Sequence, residues 1–444
     1  LDDLPVNLSS ENKVYFKINN KFIITDLKIE TKLKFDELFT KSKYQDFIYL
    51  KNGNVLIDYY EKELNINLDS KFLFKKDKYN KIESNNLFKL VYKNTENSDA
   101  VVEIDLSNTK NKINYVEFKK YISLKNFSFP NQDINISSKN KIKFNINKNN
   151  QIKNLDIKSK LKTDKVLINY KSQRIKKYFS NFKNQIKLSK SDFDININNS
   201  NFNVGLKSKY SINDINENIN LNIEKKDNNY SFSLDIDLDS AVMQIDELEY
   251  IKNKDAKSNL YLEGIYKDNK KIIFYNLKLN EEKNFFLLQN LEIGRNDKIK
   301  NLDLIKFNLI NKSGKKNKLE FKKVNRNYYL TGSEFDGTKN IKKILDNSSE
   351  SIFSNFKNLN KNIYLDIGKY FINNNSFLSN VRGEIQIKNN EVFKSNINAK
   401  LNNKRKFELS IFTNNNKQKI TNLEIDRPEP FIKNFKFIKG FKEG

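Results

Sequence analysis

"NYSFSLDIDLDSAVMQI", residues 229–245, puts Phe232, Leu234, Ile236 and Leu238 on every second position, with Ser231, Ser233, Asp235, Asp237 and Asp239 in the gaps. Successive side chains of an extended strand point to opposite faces, so this segment reads as a β-strand with one apolar and one charged side. The same period recurs along most of the chain. Leu64, Ile66 and Leu68 alternate with Asn; Val102, Ile104 and Leu106 alternate with Glu and Asp; Ile142, Phe144 and Ile146 alternate with Lys and Asn. Phe193, Ile195 and Ile197 precede Phe202, Val204 and Leu206 across "NNSN", and Ile219, Leu221 and Ile223 precede the opening segment across "EKKDNN". "LYLEGIY" (260–266), "IYLDI" (363–367) and "FELSIF" (407–412) continue the pattern.

Strands spaced roughly 10–15 residues apart and joined by polar turns predict an antiparallel meander. With only 11 Gly in 444 residues, Asn is expected to supply the left-handed turn positions. "KNGN" at 51–54 reads as the strongest hairpin turn. Helices are expected in few places. These are "TKNIKKILD" at 338–346, its continuation "SIFSNFKNL" at 351–359, and "FIKNFKFIKGF" after Pro428 and Pro430. "RIKKYFSNFKNQI" at 174–186 fits either a helix or an irregular crossover. No exact repeat is present, so an extended sheet is expected rather than a solenoid.

Composition bounds the chemistry. There is no His and no Cys, which rules out His-based triads, Cys nucleophiles, Cys/His zinc sites and disulfides. The net charge of +26 comes almost wholly from Lys: only Arg174, Arg295, Arg326, Arg382, Arg405 and Arg427 are arginines. Lys in this abundance reads first as the codon bias of an AT-rich genome and second as attraction to phosphate on nucleic acid or lipid; scattered Lys without Arg clusters makes nucleic acid an unexpected partner. Asp235, Asp237 and Asp239 share a strand face, but a solvated sheet face accounts for them better than a metal site. "TGSEFDGTKN" (331–340) has no phosphate-loop spacing, and the Ser residues of "SDFD" (191–194) and "DNSSES" (346–351) have no base. No catalytic residues, metal or cofactor are expected, and the chain does not read as an enzyme. No run of about 18 apolar residues exists to span a membrane as a helix. The chain starts at Leu1, and Met243 is its one Met; it is read as a piece of a longer protein.

The apolar strand faces are then the dominant chemical feature. One expectation is ordinary packing, sheet against sheet or helix. The other is a long, curled antiparallel sheet forming an elongated hydrophobic groove, with a few short helices. About twenty-five strands at ~4.8 Å spacing would extend such a sheet on the order of 100 Å. Its candidate lining is Leu64, Ile66, Leu68, Ile142, Phe144, Ile146, Phe193, Ile195, Ile197, Ile219, Leu221, Ile223, Phe232, Leu234, Ile236 and Leu238. An outer-membrane barrel would gather aromatics into girdles at strand ends, whereas here Phe and Tyr are spread through the strands. A secreted structural β-protein or adhesin with a filled core is the other alternative.

The second half adds a resemblance. "LDIDLDSAVMQIDELEYIKNKDAKSNLYLEG" (234–264) resembles a strand with an Asp-Leu-x-x-Ala turn, through Asp237, Leu238 and Ala241, followed by a short strand and a lysine, Lys254. "IGRNDKI" (293–299) offers Gly294 and Arg295, and "LTGSEFDGTKNIKKIL" (330–345) offers Gly332 and Asp336 ahead of a short helix. With the terminal "FIKNFKFIKGFKEG", these are similar in kind and order to segments of the AsmA-like family, bacterial relatives of TamB and YhdP, over 234–444. The resemblance implies a lipid-transporting β-groove between the inner and outer membranes of a Gram-negative envelope. Its function would be phospholipid passage or support of outer-membrane biogenesis. It also implies a periplasmic location, an inner-membrane anchor outside this piece, and phospholipid or another acyl-chain lipid as partner. The matched Gly, Ala and Asp residues would be structural. The expected organisation is a β-groove over 1–229, an AsmA-like β region over 230–426 with a short helix near 338–346, and the start of a C-terminal helix or module over 427–444.

Overall fold

A computed structural model describes residues 7–39, 48–74, 86–96, 98–114, 127–170, 172–212, 215–267, 271–295, 297–339, 353, 355–414 and 418–426. The fold is mostly β. The described residues form 27 strands, one short α-helix, one 3-10 turn and two further helical residues at 338–339. It divides into two compact units. The first comprises Leu1–Lys171, Asn184–Ser211 and Asn218–Asp227, and the second Ser172–Lys183, Ile212–Glu217 and Asn228–Gly444.

The first unit contains β1 (Leu8–Ile18), β2 (Ile24–Phe39), β3 (Ile48–Tyr60), β4 (Glu63–Phe74), β5 (Leu87–Thr95), β6 (Ala100–Asn114), β7 (Phe127–Ser128), β8 (Asp133–Ile146) and β9 (Ile152–Tyr170). After α1 (Gln173–Tyr178), which belongs to the second unit, it resumes with β10 (Gln185–Asn198), β11 (Asn201–Ser211) and β12 (Glu217–Lys226). From β1 to β6 each strand pairs antiparallel with the next, β6 pairs with β8, and the order runs on through β9 and β10 to β11. The two-residue β7 pairs with β9.

The second unit contains β13 (Asn229–Asp237), β14 (Met243–Ile245), β15 (Tyr250–Lys252), β16 (Ser258–Lys267), β17 (Lys271–Glu281), β18 (Asn284–Ile293), β19 (Ile299–Asn301), β20 (Leu304–Ile310), β21 (Lys316–Val324) and β22 (Asn327–Asp336). It ends with β23 (Lys361–Phe371), β24 (Phe377–Lys388), β25 (Glu391–Leu401), β26 (Arg405–Thr413) and β27 (Lys419–Ile425). The ladder is antiparallel from β13 through β16, β17, β18, β20 and β21 to β22, and again from β23 to β27. β14 and β15 form a separate two-stranded sheet.

Asn supplies more than half of the left-handed positions, in turns and inside strands alike. Among the described residues, thirteen of the 24 non-Gly positions at positive φ are Asn, and Gly314 is the one glycine there. Three expectations are corrected. "KNGN" at 51–54 is not a hairpin turn: it lies inside β3, where the register with β4 slips between Lys51 and Asn54. The capacity of Asn52 for positive φ (50°) builds a bulge there. Gly53 is required because a Cβ at that position would lie 2.0 Å from the Phe35 ring. The turn itself falls at Glu61–Lys62. Second, the described strands are not antiparallel throughout, because β22 and β23 are parallel and need a crossover between them. Third, "SIFSNFKNL" is not helical where it is described: Phe353 and Asn355 sit in turns and Phe356 makes an isolated bridge with Ile299. Tertiary pairing wins over the local 3.6-residue pattern there. Of 338–346 only Thr338 and Lys339 are described, and both are helical. The C-terminal segment 427–444 lies outside the described residues. At 174–186 both readings apply in turn, because α1, capped by Ser172 accepting from the Ile175 N–H (3.2 Å), gives way to an irregular link into β10.

Candidate functional site

Strand register decides which of the alternating apolar residues meet. In the first unit one file of directly opposed residues crosses nine strands: Leu33, Val55, Leu68, Leu90, Ile104, Ile142, Ile157, Ile197 and Phe202, on β2, β3, β4, β5, β6, β8, β9, β10 and β11. All nine are apolar and all nine are half-buried. One residue away, on the opposite face, the file reads Lys34, Asn54, Asp69, Lys89, Asp105, Lys141, Lys158, Asn196 and Asn203, of which all but Asn203 are exposed. The sheet of this unit therefore has a greasy side and a wet side with no mixing along these files.

A second file on the apolar side joins Ile57, Ile66, Tyr92, Val102 and Phe144. Leu64 faces Tyr59, Ile146 faces Ala100 and Ile152, and Phe193 and Ile195 face Leu206 and Val204. Ile219, Leu221 and Ile223 alternate along β12. Phe232, Leu234 and Ile236 lie on β13 opposite Gly264, Leu262 and Leu260, and the Phe232 ring occupies the space a Cβ on Gly264 would need (2.7 Å). Of the sixteen residues singled out from the sequence, fifteen are half-buried. Leu238, just past the end of β13, is buried at 3 % exposure in a packed core.

The same face carries a polar chain that alternation alone did not reveal. Beside the Ile104–Ile142–Ile157 file, Asn140 donates to the Leu106 carbonyl (3.2 Å) and to the Ser138 hydroxyl (2.9 Å), Ser159 donates to Asn140, and Ser138 donates to Asn108. Asn108 donates in turn to the Ile136 carbonyl (2.8 Å). These groups satisfy one another, so they sit on an apolar face without a large desolvation penalty.

In the second unit the corresponding file runs Leu234, Leu262, Leu277, Leu288, Ile305, Phe321, Leu330, Leu365, Gly383, Ile397 and Leu409. Only Leu288 among them is buried, at 8 % exposure. On one side of this file the face is filled. Leu279, Phe307, Leu319, Ile367 and Val381 belong to a packed cluster with Ala241, which precedes β14, and with Met243 and Tyr250 from the β14–β15 hairpin. On the other side Leu359, Ile363, Tyr328 and Ile387 form a second packed cluster, against which Phe353 and Phe356 lie.

The hairpin that covers the first cluster is held by a buried cation. Lys252 is 0 % exposed, and its ammonium donates to the carbonyls of Asp239 (2.9 Å), Ala241 (2.8 Å) and Asn253 (2.9 Å). Burial holds it below the usual lysine range, with Glu281, Asp239 and Glu217 opposing that shift. The Ser240 N–H and hydroxyl donate to Glu217 (2.6 and 2.9 Å), and the Tyr250 hydroxyl donates to Glu281. Burial, then that bond, raises the Tyr250 pKa. Asn181, after α1, donates to the Ser240 carbonyl (3.2 Å) and accepts from the Val242 N–H (3.2 Å). Lys254, the lysine marked in the sequence, is exposed.

The carboxylates singled out from the sequence make hydrogen bonds within the fold. Asp235 accepts from Asn259 (2.6 Å) and Asp239 accepts from the Ser258 N–H (2.7 Å). Among the described residues no group of three or more acidic side chains is arranged to hold a metal ion. Asp336 of "TGSEFDGTKN" accepts from the Thr338 N–H (3.2 Å) and hydroxyl (2.6 Å) and from Asn311 (2.9 Å), with Lys315 at 3.3 Å. Burial raises its pKa, but these donors and the Lys315 charge outweigh that and leave it below the ordinary value. A carboxyl lowered in the fold stabilises fully above its unfolded pKa, and that stabilisation disappears as pH falls through the lowered value. Asp336→Asn is expected to cost about 2 kcal/mol at neutral pH. The cost should shrink as pH falls below the ordinary carboxylate range and through the lowered value, as measured by urea unfolding at a series of pH values.

No family model, curated protein or solved structure matches this chain. Among the described residues no helix is long and apolar enough to cross a membrane, a statement that does not bear on β-barrels.

Proposed function

We propose that the chain is an AsmA-like β-sheet protein of a Gram-negative envelope, periplasmic and anchored at the inner membrane by a segment outside this piece. Its apolar face holds phospholipid acyl chains and lets them pass between the inner and outer membranes, in support of outer-membrane biogenesis. Tails travel along the greasy side while headgroups remain in water. No covalent chemistry is involved, and the protein acts without cofactor or enzymatic step. The observation that carries this reading is the nine-strand file from Leu33 to Phe202, apolar throughout and half-buried throughout, backed by a polar file one residue away. Val55 and Leu68 at one end of the file pack against the buried cluster of Phe35, Leu50 and Phe72, yet no residue of the file is sealed from water; a face meant only for water would not be apolar. Ten methylenes half withdrawn from water would contribute on the order of 4 kcal/mol, enough to hold a tail and weak enough to let it move.

The packed cluster around Leu309 and Ile372 favours a second reading for part of the second unit, a structural β-protein with a filled interior. The two readings separate on mass. Protein purified without detergent and weighed under native conditions is expected to carry phospholipid, recovered by organic extraction. A bare polypeptide mass from envelope-expressed protein would remove the lipid reading and leave the filled-core one.

A further inference from the structure

The strands of the first unit alternate in direction, so the turns after β1, β3, β8 and β10 all fall at one edge of its sheet. Three of them are polar: Glu61–Lys62, Asn147–Gln151 and Asn199–Ser200. The fourth, between β1 and β2, is not. Phe22 at its tip is 90 % exposed, and Ile18, Ile23 and Ile24 beside it are each more than half exposed. Phe22 also has φ 58°, a left-handed conformation that a bulky side chain adopts only under constraint. That constraint is visible. The Asn19 side chain accepts from the N–H groups of Lys21 (2.9 Å) and Ile23 (3.0 Å), while Phe22 donates to the Asn19 carbonyl (2.9 Å) and Asn19 to the Ile23 carbonyl (3.0 Å). The turn is therefore built to hold an aromatic ring outward into solvent.

We propose that this hairpin tip inserts into the interface of an anionic lipid bilayer. The tip itself carries Lys21, while the lysines on its two strands are paired: Lys13 with Glu11 (3.9 Å), Lys17 with Asp26 (2.9 Å) and Lys28 with Glu30 (2.6 Å). An exposed aromatic-aliphatic tip bearing Lys21, on a chain of net charge +26, matches a surface of acyl chains under negative headgroups. A protein covering the same tip is the competing occupant, and the vesicle test separates the two. The inference stands apart from lipid passage, because it concerns where the sheet touches a bilayer and not what its apolar face carries.

The test is flotation of the full chain with vesicles of phosphatidylglycerol and phosphatidylcholine. Wild-type protein is expected to float with anionic vesicles and to be released by added salt. Phe22→Asp, which suits the left-handed backbone and so preserves the turn, is expected to reduce bound protein at least about tenfold. Lys17→Gln with Lys21→Gln should weaken binding to anionic vesicles only. Circular dichroism checks that each variant keeps its strand content, and lipid co-purifying on the apolar face should be unchanged in Phe22→Asp. The proposal is overturned if Phe22→Asp floats like wild type. It is equally overturned if neutral and anionic vesicles bind alike, or if the wild type ignores vesicles and the tip is instead protected by a protein.

Discussion

Lys252→Met is expected to destabilise the second unit by about 3–5 kcal/mol. The substitution keeps most of the side-chain volume and removes only the ammonium, so the loss reports on hydrogen bonds and not on a cavity. Three carbonyls, of Asp239, Ala241 and Asn253, lose a donor where Lys252 itself is fully shielded from water. Each buried acceptor left without a partner costs about 1–3 kcal/mol. Glu217 and Glu281 lose a compensating positive charge at the same time. The hairpin that Lys252 staples covers a core containing Leu279, Phe307 and Ile372, so the cost is expected to appear as earlier unfolding in urea and loss of protection for Tyr250. A midpoint unchanged to within about 1 kcal/mol would mean that water reaches those carbonyls. Lys254→Met, two residues on at an exposed position, is the matched control and should change little.

That contrast shows where sequence reading stops. Lys252 falls on the same strand face as Tyr250, and in a chain of scattered lysines nothing marks it as the buried one. Its three acceptors come from a turn more than ten residues away and from its own neighbour, which period-two patterning does not encode. The strand at Phe232, Leu234 and Ile236 was legible because alternation is a local property of consecutive residues. Asn52 was legible as a residue suited to positive φ, but not as part of a bulge, since a turn and a bulge demand the same backbone, and the need for Gly53 comes from the Phe35 ring across the strands and not from its own φ. The register that joins Leu68 to Leu90 and Ile104 to Ile142 was not legible either. Each slip, at Lys51/Asn54, Asn108/Asn111 and Ser189/Asp192, shifts pairing by one or more residues. The polar chain of Asn108, Ser138, Asn140 and Ser159 escaped notice because those residues read as wet positions unless their partners across the strands are known.

Ile104→Glu in the first unit and Leu309→Glu in the second are expected to fail in opposite ways, and the difference separates a lipid-holding face from an ordinary core. Ile104 is half-buried in the middle of the nine-strand file, between Leu90 and Ile142. A carboxylate there keeps part of its hydration, so the fold is expected to lose only about 1–2 kcal/mol. An acyl chain lying along the file would have to pass that charge while covering it from water. Burying an unpaired carboxylate costs several kcal/mol, which exceeds what a few methylenes return at about 0.8 kcal/mol each. Bound phospholipid should therefore fall at least tenfold, a difference of about 1.4 kcal/mol, in a protein whose circular dichroism and unfolding midpoint stay close to wild type. Leu309 is 0 % exposed within the packed cluster, and the same substitution there has no water to fall back on. It should cost more than about 4 kcal/mol and unfold the unit outright. If Ile104→Glu unfolds its unit as severely as Leu309→Glu, the file is packed core. If it folds and still carries a full complement of lipid, the tails lie elsewhere.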